Sequence, residues 1–73
     1  MDIPYEMKRL RDLRNLSIKM LKNMGAEVTY WNSEWVEFIH QGRTVRYCYD
    51  SECFHGDIKK GKGLDNLINQ LKL

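Results

Sequence analysis

Lys59, Lys60 and Lys62 surround Gly61 and Gly63 immediately ahead of a segment whose apolar spacing is helical. Open amide groups and the dipole at a helix start favour an anion, and lysines beside glycines suit a phosphate. The plainer alternative is a solvated loop whose charges face water. No Gly-x-x-x-x-Gly-Lys-Ser/Thr pattern occurs, so nucleotide hydrolysis of the P-loop kind is not expected. A second basic group lies near the start of the chain. Lys8, Arg11, Asn15, Lys19 and Lys22 recur at steps of three and four, so on a helix they form one row, in which only Asn15 lacks a charge. Such a row fits a phosphate backbone. It is also what the water-facing side of an ordinary amphipathic helix looks like.

Thiol and imidazole groups are the other candidates for chemistry. Cys48, Cys53, His55 and His40 could supply zinc ligands, but the spacing Cys48-x4-Cys53-x-His55 lacks the paired short ligand loops of zinc ribbons. No metal and no cofactor is expected. Two cysteines are too few for a disulfide framework; in a reducing compartment they are free thiols, with Cys48 packing as a small hydrophobe. His55 beside Asp57, and His40 near Glu37, could exchange protons, yet nearness in sequence does not make a cleft. No catalytic residue is assigned, and the residues point away from an enzyme.

The elements that must position these groups follow from pattern. Leu10, Leu13, Met20, Leu21 and Met24, with Met7 and Ile18 along the edge, put an apolar stripe opposite the basic row, so the first helix should run from about Pro4 to Met24. Asp2 can cap it, Pro4 suits its first turn, and Gly25 supplies the stop. Glu27 to Trp31, Glu34 to His40 and Arg43 to Tyr49 alternate as strands, separated by turns at Asn32-Ser33 and Gln41-Gly42. Turns that short leave only antiparallel neighbours, a three-stranded meander. Asp50 to Gly63 reads as a loop with a short extended piece near Cys53 and Phe54. Leu64, Leu67, Ile68 and Leu71 then mark a short amphipathic helix. The expected fold is α+β, an α-β-β-β-α two-layer sandwich. Both helices lie on the sheet face built from Val28, Tyr30, Val36, Phe38, Val45 and Tyr47. Trp31, Trp35, Ile39 and Cys48 are then left on the opposite face, where an uncovered apolar patch would mark a partner or self-association surface. Alternatively the Asp50 to Gly63 loop folds over part of it.

Seventy-three residues make one domain, residues 1–73. A chain that short buries about 60% of its unfolded surface, so no deep cavity is expected. A formal net charge of +2 is far from that of a wholly electrostatic binder, so the distribution of charge must carry any nucleic-acid argument. No apolar run reaches bilayer length and the first residues lack the apolar core of a signal peptide, so a cytoplasmic address is expected, with no membrane contact.

The helix, three antiparallel strands and helix follow the order of the double-stranded RNA-binding domain, shared by the small HicA-type toxins that cleave messenger RNA. Leu21 to Leu71 resembles the toxins more closely. The resemblance is carried by Lys22-Asn23-Met24-Gly25, by Phe38-Ile39-His40 before a glycine turn, and by Asp57-Ile58-Lys59-Lys60-Gly61 leading into Leu64-Asp65-Asn66-Leu67-Ile68-Asn69-Gln70-Leu71. The last segment is the most specific. HicA-type toxins carry a Gly-Ser-His motif entering the second strand, with a histidine that acts in RNA cleavage. Here the matching stretch is Ser33-Glu34-Trp35, and tryptophan cannot exchange a proton at neutral pH. His40 matches a second family histidine. The resemblance thus implies the fold and a nucleic-acid setting without the family's catalytic group.

Taken together, the residues point to a small non-catalytic protein that lays Lys8, Arg11, Lys19 and Lys22, plus Lys59, Lys60 and Lys62, against a phosphate backbone of RNA or DNA. An alternative is a short phage or mobile-element factor that inhibits a host nucleic-acid-handling complex, with Trp31, Trp35 and Ile39 as protein-binding anchors or as a homodimer surface. A third is a HicA-like ribonuclease whose base has moved to His40 or His55.

Overall fold

The apolar stripe of the first segment forms helix α1 (Tyr5–Asn23). A computed structural model of the chain describes residues 5–72, with side chains from Lys8 onward. The expected cap Asp2, the first-turn Pro4 and the Met7 side chain lie outside the described residues. Gly25 ends the helix as expected. It adopts a φ of 87°, its N–H donates to the Lys22 carbonyl at 3.0 Å, and the Ala26 N–H donates to the Leu21 carbonyl at 3.0 Å. Only glycine takes that backbone region cheaply, and the pairing satisfies carbonyls the last turn would leave open. Leu21 and Ala26, one on each side of the stop, are both buried.

Five strands follow: β1 (Glu27–Trp31), β2 (Trp35–His40), β3 (Arg43–Cys48), β4 (Cys53–Gly56) and β5 (Gly61–Lys62). They form one antiparallel sheet in chain order, and α2 (Leu64–Leu71) closes the fold. The expected α+β layout is present, with the sheet two strands wider than the meander. The segment after Asp50 therefore extends the sheet instead of crossing its open face. A single inward residue explains why the pattern was faint: Phe54 is buried opposite Tyr47, while Cys53, His55 and Gly56 are exposed.

Asn32 makes the first hairpin, its side-chain oxygen accepting the N–H groups of Glu34 at 2.7 Å and Trp35 at 2.9 Å. Val36, Phe38, Val45, Tyr47, Tyr49 and Phe54 line the inner face and join Leu21 of α1 and Leu64, Leu67, Ile68 and Leu71 of α2 in one buried cluster. Both helices thus cover the same side. Among the described residues, no helix is long and apolar enough to cross a membrane.

The alternation expected for β1 does not hold along its length. Val28 pairs with Phe38, but Tyr30 pairs with Glu37 and Trp31 with Val36, so Thr29 is an extra residue, a β-bulge. Beyond it every side chain changes face. Tyr30, expected in the core, is 51% exposed and lies 6.3 Å from Trp35, ring centre to ring centre, on the open side. Trp31, expected on the open side, turns toward α1.

Candidate nucleic-acid interface

Helical geometry sets the basic row opposite the buried Ser17 and Leu21, and Lys8, Arg11, Asn15, Lys19 and Lys22 are all exposed. None of the four cations is within ion-pairing distance of a carboxylate among the described residues, where the ion pairs are Arg9 with Asp50 and Arg46 with Glu37. One acidic neighbour borders the row: Asp12, exposed, is one turn on from Lys8. The row is therefore most purely basic in its second half, at Lys19 and Lys22.

That half faces the bulged strand. Trp31, 52% exposed, lies beneath Arg14, whose guanidinium carbon is 5.0 Å from the ring centre. A shallow groove of about 430 Å³ runs between helix and strand, lined by Arg14, Asn15, Ile18, Lys19, Lys22, Asn23 and Trp31. No carboxylate lines it. Arg14 falls between the apolar stripe and the basic row, so neither pattern marks it as a functional residue. Its signal was its place four residues before Ile18; its aromatic partner was hidden by the bulge.

Lys59, Lys60 and Lys62 are also exposed, but they belong to the β4–β5 connection and to β5. This is the sheet edge opposite β1, where α1 packs. The second half of the basic row lies beside Trp31 of β1, four strand spacings of about 4.8 Å, roughly 19 Å, from β5, whereas the first half is nearer, since Arg9 pairs with Asp50 just after β3. Lys19 and Lys22 therefore stand apart from Lys59, Lys60 and Lys62. The start of α2 offers less to an anion than the glycines suggested, because the Gly63 N–H donates to the Glu52 carbonyl at 2.8 Å and Asp65 stands in the first turn.

On the open sheet face, Trp35 and Ile39 are half-buried and Trp31 is absent. Arg46 covers Trp35, its guanidinium carbon 4.6 Å from the ring centre, and donates to the Glu37 carboxylate through Nε at 3.0 Å and Nη2 at 2.5 Å. The apolar patch is thus partly capped by a paired charge. Cys48 lies opposite Trp35 in the register, and burial pushes its thiol above the usual range, with Arg46 acting against that shift. A raised thiol is a poor nucleophile at neutral pH.

His40 is 6% exposed on the inner face, with Nδ1 unpartnered among the described residues, whereas His55 is exposed on the open face opposite Arg46. The two histidines and the two cysteines are not gathered into a cluster of three or more metal-ligating side chains among the described residues. Inside the sheet, Tyr47 and Tyr49 are fully buried, and no described group bonds their hydroxyls. Burial raises both phenols, Tyr49 to about 12 against an opposing effect of Arg14. Compared with family models, curated proteins and solved structures, the chain has no significant match.

Proposed function

We propose that this protein is a small non-catalytic nucleic-acid-binding protein that contacts a phosphate backbone through the outer face of α1. One observation carries the reading: Lys8, Arg11, Lys19 and Lys22 lie exposed along one side of one helix, with no described carboxylate in ion-pair contact. A helix surface of this kind attracts polyanions by releasing their condensed counterions. Lys59, Lys60 and Lys62, on the β4–β5 side of the sheet, form a second phosphate contact for a longer ligand. The stretch resembling the catalytic entry of HicA-type toxins carries Trp35, with an indole capped by Arg46 and an Nε1 that is buried without a described partner. RNA cleavage by that route has no proton-transfer group there. The test is binding to labelled RNA and DNA across a salt series. Affinity falls steeply with salt on this reading, and a flat response refutes it.

A second reading rests on the open sheet face, where Tyr30 joins Trp35 and Ile39 to offer an aromatic surface to a protein partner or a second copy. Replacing Trp35 and Ile39 with alanine then abolishes partner capture or dimerisation while leaving nucleic-acid binding intact. The reverse pattern removes it.

A further inference from the structure

We propose that the groove between α1 and β1 holds an unpaired segment of a nucleic-acid strand, with a base stacked on Trp31 and the neighbouring phosphates on Lys19 and Lys22. The inference rests on the nucleic-acid reading above and narrows it to single strands. Three observations support it. Trp31 is a large, half-exposed aromatic surface beside the purest part of the basic row. Arg14 lies over its ring at 5.0 Å, so a base arriving there takes the guanidinium's place on the indole or stacks on the guanidinium itself. The groove is lined by three cations and no carboxylate, and its volume of about 430 Å³ is in the range that holds small organic groups.

Topology adds a route for the chain. β1 is an edge strand, so no further strand closes the groove from outside, and a bound strand can run along the helix in both directions. A duplex fits the same place less well because its bases are already stacked and paired, leaving Trp31 nothing to stack on without extruding one. Stacking is tolerant of sequence, so a preference for single strands is expected with little discrimination among bases.

The experiment compares three labelled ligands on the wild-type protein across a series of salt concentrations: a short oligouridylate, its duplex with a complementary strand, and a strand of equal length made of abasic sugar-phosphate. The intact strand should bind at least about tenfold more tightly than the abasic one, the range expected for one stacked base. W31A should lose about the same factor on the intact strand without changing the salt slope, while W31F keeps most of it. Equal binding of intact and abasic strands overturns the proposal, as does a W31A loss that is the same on strand and duplex. Because the abasic comparison uses wild-type protein, a folding defect in W31A leaves the test standing. If all three ligands bind equally and with a salt slope, the proposal falls while the wider reading survives; if none binds, both fall.

Discussion

Neutralising two lysines of the basic row has a calculable effect. The row supplies at most four phosphate contacts, from Lys8, Arg11, Lys19 and Lys22. At about −0.7 per contact on a single strand, the slope of log affinity against log salt is about −2.8, so raising salt from about 50 to about 200 mM weakens binding roughly 50-fold. In K19Q/K22Q two contacts remain, the slope falls to about −1.4, and the same change in salt costs roughly sevenfold. Both side chains are exposed, and glutamine is nearly as good a helix former as lysine. Loss of Lys22 from the last turn removes a dipole contribution of about 0.3–1 kcal/mol, so the variant stays folded. Fluorescence anisotropy across the salt series reads the slope, and circular dichroism checks the fold. A variant slope equal to that of the wild type would show that these lysines face water without touching phosphate.

Three further outcomes follow from particular contacts. Neutralising Lys59, Lys60 and Lys62 together should lower the salt slope for long ligands more than for a strand of four or so nucleotides, because these lysines lie on the β4–β5 side, roughly 19 Å across the sheet from the groove at β1; an equal change on both would mean that the groups act as one patch. G56A should cost about 3 kcal/mol or more in a urea melt, since Gly56 has a φ of 134° and an added Cβ would run into the Thr44 carbonyl; a loss under about 1 kcal/mol refutes the packing of β4 on β3. The tyrosines make stability depend on alkaline pH. Their folded values lie above the unfolded value of about 10, so the unfolded chain loses those protons first. Stability should then be level below about pH 10 and fall by roughly 1 kcal/mol per unit for each tyrosine toward pH 12. Y47F and Y49F should each flatten that fall and, at neutral pH, leave stability unchanged or about 1 kcal/mol higher, because each removes a hydroxyl with no described partner. A clear loss at neutral pH would show that the hydroxyls are bonded.

Where one face of an element is buried, its residues were readable from spacing alone. Leu10, Leu13, Leu21 and Met24 repeat at helical steps because burial selects them. Val36, Phe38, Val45 and Tyr47 alternate because a sheet with helices on one side demands it. Gly25 was legible as a stop for a similar reason, since few residues other than glycine hold a φ of 87° cheaply. Of the last two strands only a short extended piece near Cys53 and Phe54, now β4, was readable, and neither its pairing nor β5 was, because that pairing is long-range in origin and only Phe54 points inward. The candidate site divides along the same line. The exposure of the basic row followed from helix geometry, but whether it met the lysines before α2 depended on sheet width, which no local pattern encodes.

The bulge at Thr29 is the decisive departure. An uninterrupted period of two puts Trp31 with Trp35 on the open face and makes a broad apolar surface. One extra residue moves Trp31 across the sheet to Arg14 and sends Tyr30 to Trp35 in its place. The extra residue is held there, as the Thr29 hydroxyl donates to the Glu37 carbonyl at 3.2 Å. Deleting Thr29 should therefore keep the pairing of Val28 with Phe38, Tyr30 with Glu37 and Trp31 with Val36, now without the bulge, and should keep strand binding while changing the twist of the edge. Inserting a residue between Thr29 and Tyr30 should instead turn Trp31 away from the helix and abolish the preference for intact over abasic strands. An insertion that leaves the preference untouched would mean that the ring's place beside α1 is not what discriminates the two ligands.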